Sequence, residues 1–448
     1  MAGIFMKLDF DSLPLLREAL AHLDAGFDHL PTAAQPPADP EALRQVLLEV
    51  ADRLRDNYPY FHPQYAGQML KPPHAVARLA YALALWINPN NPALDGGRAS
   101  SAMEKEAVAD LAGMFGWPEH LGHLTSGGTM ANLEALWIAG ELKPGATVLA
   151  SSQAHYTHER ISKVLKLPFE AVPVDDHGRM DLARLEERLE AGGVGTVVAT
   201  LGTTAVGSVD PLPGILELRE RYGFRLHADC AYGGYFTLAG NLDPPTRAAF
   251  DALASVDSLV IDPHKHGLQP YGCGCVLFRD PAVGRHYRHD SPYTYFSSSE
   301  LHLGEISLEC SRPGAAAVAL WATQRLFPLE RGGAFAQRLE ASRSAALDFH
   351  ARLAADARFL PAFRPELDIV AWAVRADSAP AASARAKEIF AKAARAGLYL
   401  ALASLPAAFF GDPWESGGSV TALRSVLMKP EHRSGLDRLH RMLDASAA

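Results

Sequence analysis

The chain has 448 residues, of which 48% are hydrophobic and 21% are charged, and its formal net charge is −9. This composition is typical of a soluble globular protein with room for a large core and a smaller domain. The acidic balance and the lack of a basic run argue against nucleic-acid binding. No apolar stretch reaches the roughly 18 residues that a membrane helix needs.

The first residues of the chain and its cysteines indicate the cellular compartment in which we expect the protein. The first residues, MAGIFMKLDF, lack the basic-then-apolar pattern of a signal peptide. The four cysteines show no pairing pattern and no metal-type CxxC spacing: Cys230, Cys273, Cys275 and Cys310. We therefore expect a reduced, cytoplasmic protein without a metal site and without a membrane partner.

Residues 1–75 predict an N-terminal helical arm. Helical patterns run through residues 12–60, and they are interrupted by PTAAQPPADP at 31–40, which is typical of a linker between helices.

Residues 76–330 predict a large α/β domain. Helical patterns alternate there with short apolar runs at 146–151, 169–174, 195–201, 224–229, 258–262 and 274–278. Strands rich in Val, Leu and Ile that alternate with helices indicate a mostly parallel sheet covered by helices on both faces.

The pattern of helices and strands changes in residues 331–448. A long helix leads to DIVAWAV, a second helix and TALRSVLMKP, which predicts a smaller C-terminal α+β domain.

Four loops beside these strands carry unusual polar residues, and ligands of open parallel sheets bind at the carboxyl ends of strands. In LTSGGTMANLEALWIAG (124–140), two glycines and two hydroxyl residues precede a strong helix. Backbone N–H groups at such a helix start can cradle a phosphate, although a tight turn with a cap explains the same pattern. SSQAHYTHER (151–160) places His155 and His158 after a strand, where a lone histidine is more often an ordinary surface or core residue.

The other two strand ends carry charged groups. RLHADCAYGGYF (225–236) ends an apolar strand with Asp229. A buried carboxylate is unfavourable without a cationic partner, and a helix cap or a structural salt bridge is the competing explanation. SLVIDPHKHG (258–267) ends a strand with Lys265 between two histidines, as either a solvated strand end or a placed amine.

Together the four features describe one ligand with a phosphate, a cationic ring atom, a flat face and an electrophilic carbon that accepts an amine. Pyridoxal 5′-phosphate has all four. Its phosphate would lie at Gly127, Gly128 and Thr129, its ring nitrogen at Asp229 and its aldehyde on Lys265.

At this point the sequence resembles the pyridoxal-phosphate-dependent group II amino-acid decarboxylases, which have the aspartate-aminotransferase fold, fold type I. The resemblance covers roughly residues 55–430, and the matching motifs occur in the family's order and spacing: HPQYAGQM, NPNNPALDGGRASSAMEKE, TSGGTMANLEAL, QAHYTHER, LGTTAVGSVD, HADCAYGG, IDPHKHG and LECSRPGAAAVALWA. It implies a mostly parallel seven-stranded sheet and a homodimer with shared active sites.

The resemblance also implies roles for individual residues. Lys265 is similar to the lysine that forms the Schiff base, Asp229 to the partner of the pyridine nitrogen, and His155 to the imidazole that stacks on the ring. The other implied cofactor contacts are Gly127, Gly128, Thr129, Thr204, Ala231, Asp262 and His264, with Ser311 and its neighbour Arg312 where a contact to the partner subunit's phosphate is expected. His266 departs from the family, which usually has an aromatic residue or Met there.

Two further sets of residues concern the substrate. Tyr293 and Tyr295 lie in RHDSPYTYFSSSELHLGE (288–305), and a loop tyrosine of the family donates a proton to the α-carbon. We favour Tyr295; an ordinary surface aromatic residue is the alternative. Gln68 and Arg424 are candidates for the distal part of the substrate, and a structural salt bridge is the competing explanation for Arg424.

The sequence therefore predicts an L-amino-acid decarboxylase that forms an amine and carbon dioxide through an aldimine on Lys265. The alternative is an aldehyde-lyase that resembles the sphingosine-phosphate lyases. A third hypothesis is a non-enzymatic relative, against which the joint presence of Lys265, Asp229 and His155 argues.

Overall fold

The structure is a computed structural model that describes residues 8, 10–32, 39–92, 96–288, 306–411, 413–414 and 417–448. The chain begins with two helices, α1 (Leu13–Ala25) and α2 (Pro40–Leu54). Neither of them buries a residue, although both carry many apolar side chains. No helix among the described residues has the length and apolar character needed to cross a bilayer.

The central part of the chain alternates helices and strands. Its elements are α3 (Ala75–Leu85), α4 (Arg98–Met114), β1 (Leu121–Thr125), α5 (Gly128–Leu142), β2 (Thr147–Ser151), α6 (Thr157–Val164), β3 (Phe169–Val172), α7 (Leu182–Glu190), β4 (Val194–Thr200), α8 (Leu212–Tyr222), β5 (Arg225–Asp229), α9 (Pro244–Asp251), β6 (Ser258–Ile261), β7 (Gly274–Phe278) and α10 (Gly314–Leu326).

These seven strands form one sheet in the order β1-β7-β6-β5-β4-β2-β3. β7 runs antiparallel to both of its neighbours, and the other pairs are parallel. Every residue of β2, β6 and β7 is buried, as expected for strands that helices cover on both faces. The prediction of a mostly parallel seven-stranded sheet is confirmed.

Strand β1 was not among the apolar runs that predict strands. Its sequence, LGHLT, contains Gly122 and His123, which weaken the apolar pattern. His123 is nevertheless buried, with its Nε2 2.8 Å from the buried carboxylate of Glu134 on α5. This carboxylate lies on the next helix, so the sequence of the strand alone does not reveal it.

The C-terminal part contains α11 (Ala334–Ala354), β8 (Phe359–Pro361), β9 (Ile369–Val374), α12 (Ala379–Arg395), β10 (Ala401–Pro406), β11 (Ser419–Val426) and α13 (His432–Ala447). Its four strands form an antiparallel sheet in the order β10-β11-β9-β8. The sequence patterns predicted β9 and β11 but missed β8, which has three residues, and β10, whose ALASLP is poor in strand-forming residues. The domain boundaries at 75 and 330 stay predictions.

The topology brings several loops to one edge of the large sheet. β2, β4, β5 and β6 are mutually parallel, so their carboxyl ends lie at the same edge. β1 points the same way, because both β1 and β6 are antiparallel to β7. All four of the loops selected from the sequence follow strands of this set.

Candidate active site

A cavity of about 300 Å³ lies at this edge of the sheet. Its wall contains ten of the eleven residues predicted to contact the cofactor: Gly127, Gly128, Thr129, His155, Thr204, Asp229, Ala231, Asp262, His264 and Lys265. Residues that are more than 130 positions apart in sequence therefore meet around one space. Ser311 is the predicted contact that does not line it.

The glycine loop between β1 and α5 forms one wall. α5 begins at Gly128, so backbone N–H groups of its first turn have no partner within the helix. A Cβ atom at Gly128 would lie 2.7 Å from Asp262 Oδ2, too close for any other residue without a shift of that carboxylate. The unpaired N–H groups of such a helix start can hold a phosphate.

Asp229 forms the opposite wall, where β5 ends. Its Oδ1 accepts a hydrogen bond from the Ala231 N–H (3.1 Å), and its Oδ2 lies 2.8 Å from His158 Nε2. Burial alone raises the pKa of Asp229, but the hydrogen bond from His158, the charge of that imidazole when it is protonated and the positive charge of Lys265 outweigh burial and hold the pKa below its usual value. The site therefore presents a buried carboxylate that stays ionised, as a protonated pyridine nitrogen requires.

His155 follows β2 and lines the cavity. Its Nδ1 accepts hydrogen bonds from the Thr157 hydroxyl (2.5 Å) and the Thr157 N–H (3.3 Å). Burial is the main cause that lowers the pKa of His155. A neutral imidazole held at a fixed angle is suited to stacking on a flat ring.

Lys265 follows β6, whose last residue is Ile261. Its backbone N–H donates to Asp262 O (2.9 Å), which makes the turn that carries the side chain to the cavity. Its Nζ lies 3.0 Å from Asp262 Oδ2. His264 donates from Nδ1 to Cys273 O (2.8 Å), and burial lowers its pKa. The structure thus presents Lys265 as a placed amine rather than a solvated strand end.

Ser311 and Arg312 have different surroundings. Ser311 is exposed, and its hydroxyl accepts a hydrogen bond from Asn90 Nδ2 (3.1 Å). Arg312 is buried and pairs with Glu104 Oε1 (2.5 Å) while donating to Leu124 O (2.6 Å). The charge of Arg312 is therefore used within its own chain, where it fixes the end of β1. The contact of Ser311 with a partner subunit's phosphate stays a prediction.

Gln68 and Arg424 lie close to the cavity but do not line it. Arg424 is buried on β11 and donates to the backbone oxygens of Thr204 (2.7 Å), Ala205 (2.8 Å) and Gly67 (3.0 Å). It also lies 3.4 Å from Gln68 Oε1. Hydrogen bonds to backbone oxygens therefore stabilise the Arg424 side chain inside this strand. Among the described residues, Arg424 forms no salt bridge. A role of both residues toward substrate stays a prediction.

Three further features of the sequence lie outside the cavity wall or outside the described residues. Tyr293 and Tyr295 lie outside the described residues. His266 is buried away from the cavity, with its Nε2 3.3 Å from Asp368 Oδ2. The four cysteines form no disulfide.

Several residues of the site lie outside the roles that the sequence motifs predict. Tyr232 and Asn132 line the cavity, and the Tyr232 hydroxyl donates to the buried Asp368 (2.5 Å). His158 was treated as an ordinary histidine, although it is fully buried against Asp229. The available signal was its place in the first turn of the helix after β2, three residues beyond His155.

The residues present fit pyridoxal 5′-phosphate. The cavity combines a glycine loop at a helix start, an ionised buried carboxylate, a neutral imidazole and an amine. Asp262 Oδ1 is buried and has no hydrogen-bond partner among the described residues, so the carboxylate beside the amine can accept a further hydrogen bond.

Comparisons with known proteins agree with this description. The pyridoxal-dependent decarboxylase conserved domain matches residues 134–375. The chain is 29% identical over 406 residues to the L-tyrosine decarboxylase of Enterococcus faecium, covering 68% of this chain and 66% of that protein. It is 30% identical over 286 residues to the L-aspartate decarboxylase of Thermococcus kodakarensis, covering 62% and 71%.

Solved structures share the fold over nearly the whole chain. A crystal structure of mouse CSAD has a TM-score of 0.80 at 19% identity and covers 98% of this chain and 99% of that one. The structure of Oryza sativa TDC with pyridoxal phosphate and tryptamine has a TM-score of 0.77 at 19% identity, with 99% and 100% coverage. With the domain match over more than half of its length, the chain belongs to the family of pyridoxal-dependent decarboxylases, carboxy-lyases whose cofactor is pyridoxal 5′-phosphate.

Proposed function

We propose that the protein decarboxylates an L-amino acid to an amine and carbon dioxide. The observation that carries this proposal is the meeting of Lys265, Asp229 and His155 around one cavity of about 300 Å³. When bound, pyridoxal phosphate supplies an electron sink for the bond that breaks, and the protein orients and tunes it.

Individual residues of the chain would hold and orient the cofactor. Lys265 would hold the cofactor at its aldehyde carbon. Asp229 would keep a proton on the ring nitrogen, and His155 would fix the plane of the ring. An ion pair at a partly buried site is worth several kcal/mol, so we expect the charge of Asp229 to have a strong effect on the ring.

The named relatives favour carboxylate release over the aldehyde-lyase alternative. Two of them are an L-tyrosine decarboxylase and an L-aspartate decarboxylase, which makes these two amino acids the first substrates to test. Tyrosine requires an apolar side-chain pocket, and aspartate requires a cationic one. Arg424 and Gln68 are our proposed contacts to the distal part of the substrate, because Arg424 donates to the backbone of the cavity residue Thr204.

The test is product analysis with a panel of carboxyl-labelled L-amino acids that includes both. We expect labelled carbon dioxide and the matching amine in equal amounts, and neither with Lys265→Ala. An aldehyde formed from a phosphorylated amino alcohol, with no carbon dioxide from any amino acid, would establish the alternative lyase instead.

We also retain Tyr295 as the acid that protonates the α-carbon after carbon dioxide leaves. General acids of this kind contribute about 100- to 10,000-fold, so amine formation by Tyr295→Phe should fall by a comparable factor, while a carbonyl product appears together with an equal amount of pyridoxamine phosphate. Tyr293→Phe is the matched control. The same diversion in Tyr293→Phe alone would move the role to that residue.

The final part of the proposal is a homodimer. α1 and α2 expose large apolar side chains and bury none. A second copy of the chain would cover them, and it would bring Ser311 of one subunit toward the phosphate site of the other.

A further inference from the structure

His158 lies directly behind Asp229. Its Nε2 is 2.8 Å from Asp229 Oδ2, and its side chain is fully buried. Its side chain does not line the cavity, and the hydrogen bond that its imidazole makes among the described residues is the one to Asp229. An effect of this imidazole on the reaction would therefore pass through Asp229.

The contacts of His158 indicate its protonation state. Its Nδ1 is buried and has no hydrogen-bond partner among the described residues. A proton on Nδ1 would be a buried donor without an acceptor, which is unfavourable. The neutral ring with its proton on Nε2 fits the site, because it donates to Asp229 and leaves the negative charge on the carboxylate. A doubly protonated ring would cancel that charge.

A second donor chain ends at the same oxygen. Ser258 Oγ lies 2.9 Å from His227 Nδ1, and His227 Nε2 lies 2.8 Å from Asn132 Oδ1. Asn132 Nδ2 then donates to Asp229 Oδ2 at 3.4 Å. Because an amide oxygen only accepts, His227 donates through Nε2 and accepts from Ser258 at Nδ1. Burial lowers the pKa of His227 to about 3, so this ring is neutral as well.

Among the described residues, each hydrogen bond to the Asp229 carboxylate is therefore a donation from a group that keeps its own proton. Three such donors, on Ala231, His158 and Asn132, hold both carboxylate oxygens. The remaining acceptor capacity of the carboxylate is left for the cavity.

We propose that His158 is a positioning residue: as a neutral hydrogen-bond donor it keeps Asp229 ionised and aims that carboxylate at the ring nitrogen of the bound cofactor. This inference deepens the proposed function and rests on it for the role of Asp229. It assigns His158 no proton transfer to the substrate.

The test uses the holoenzyme with pyridoxal phosphate labelled with ¹⁵N in the ring. The ring ¹⁵N shift reports whether that nitrogen is protonated, and a cofactor titration gives the dissociation constant. His158→Met removes the donor at similar size, whereas His158→Gln keeps an N–H donor. The matched control is His123→Met, because His123 Nε2 lies 2.8 Å from Glu134 Oε2 in a second buried histidine–carboxylate pair away from the cavity.

In His158→Met we expect the ring nitrogen to lose its proton and the dissociation constant to rise about 10- to 100-fold, the range by which loss of a group that orients a metal ligand lowers metal affinity or activity. His158→Gln should lie closer to the wild type than His158→Met in both readouts. His123→Met should change neither readout. A protonated ring nitrogen and unchanged affinity in His158→Met, or equal changes in His123→Met, would overturn the proposal.

One measurement needs no substitution, in case His158→Met does not fold. Side-chain ¹⁵N shifts of the wild-type holoenzyme should show His158 as a neutral ring protonated on Nε2, and a doubly protonated ring would contradict the inference. None of these readouts involves turnover. A protein that passes them and releases carbon dioxide from no amino acid contradicts the proposed function and leaves the role of His158 intact.

Discussion

Lys265 Nζ lies 3.0 Å from Asp262 Oδ2, and only 3% of the Asp262 side chain is exposed, against 21% of the Lys265 side chain. The carboxylate is thus the fixed member of the pair, and the amine is the one that a ligand can reach. Asp262 holds the amine at the cavity wall before the cofactor arrives.

The first prediction is that this amine is the covalent attachment point. Reduction of the holoenzyme with borohydride followed by peptide mapping should place the pyridoxyl group on Lys265. Lys429 and Lys71 serve as internal controls, because both are lysines with restricted exposure away from this cavity. A label on either of them instead of Lys265 would refute the assignment.

The second prediction concerns the charge of Asp229. Asp229→Asn should keep the fold and lower turnover by at least about tenfold, since each tenfold corresponds to only about 1.4 kcal/mol of lost stabilisation. Asp210→Asn is the matched control. Asp210 is a fully buried carboxylate that does not line the cavity itself; it accepts the N–H groups of Met180 (2.7 Å) and of the cavity residue Thr200 (2.7 Å).

Steady-state kinetics and the visible spectrum of the bound cofactor check this prediction. Asp210→Asn should lower thermal stability without changing the cofactor spectrum. Near-wild-type turnover of Asp229→Asn would show that the carboxylate charge has no part in the chemistry.

Much of this site could be predicted because each chemical group directly follows an apolar strand. Asp229 and Lys265 are examples, since parallel strands bring their carboxyl ends to one edge wherever the loops lead. The partners of these groups could not be predicted in the same way. His158 and Asp229 are 71 residues apart, and nothing near either residue specifies the other.

Arg312 and Arg424 show the same limit. The sequence singles out both positions, Arg312 through the family resemblance and Arg424 as a candidate substrate contact. Their acceptors, Glu104 for one and the backbone oxygens of Thr204 and Ala205 for the other, are set by how distant segments pack. The glycine loop could be predicted more directly, because two glycines before a helix are a local sequence pattern.

The third prediction tests the close approach of that loop to Asp262. In Gly128→Ala the added Cβ, at 2.7 Å from Asp262 Oδ2, would displace the carboxylate that holds Lys265. We expect cofactor affinity to fall by about tenfold or more. The control is Gly113→Ala on α4, where an added Cβ has nothing within 4 Å.

Cofactor titrations and thermal unfolding of both variants give the comparison. Gly113→Ala should bind cofactor normally and gain about 0.5–1 kcal/mol of stability from helix propensity. Wild-type affinity in Gly128→Ala would mean that the loop tolerates a side chain and that the contact is unimportant.

The fourth prediction concerns pH and Lys429, which donates to Tyr65 O (2.7 Å) and Leu70 O (3.2 Å). Burial, helped by the charge of Lys71, lowers the pKa of Lys429 from 10.5 to about 7. Between these two values the unfolded chain holds a proton that the folded chain has lost. The free energy of unfolding should therefore rise with pH in this window, by up to about 1.4 kcal/mol per pH unit from this group.

Urea unfolding at several pH values from 7 to 10 compares the wild type with two variants. Lys429→Met should lose this part of the slope. Lys392→Met should run parallel to the wild type, because Lys392 is an exposed lysine that pairs with Glu388 on the same helix. Parallel lines for Lys429→Met and the wild type would contradict the lowered pKa.

The last prediction is that the apolar stripe of α2 is a subunit contact. Leu43, Leu47, Val50 and Leu54 recur at helical spacing, and each is between 46% and 61% exposed. Leu48 lies off this stripe with a similar exposure of 51%, against 58% for Leu47, so the two residues offer the same substitution at different faces. In a two-fold symmetric dimer each change acts twice, and burying one leucine is worth about 1.5–3 kcal/mol. Leu47→Lys should therefore weaken the dimer by about 100-fold or more, whereas Leu48→Lys should leave it within about tenfold.

Analytical ultracentrifugation over a range of protein concentrations measures the dissociation constant, and cofactor titration of the same samples shows whether the separated subunits lose affinity. A wild-type chain that stays monomeric at high concentration and binds the cofactor tightly would exclude both the dimer and a shared site.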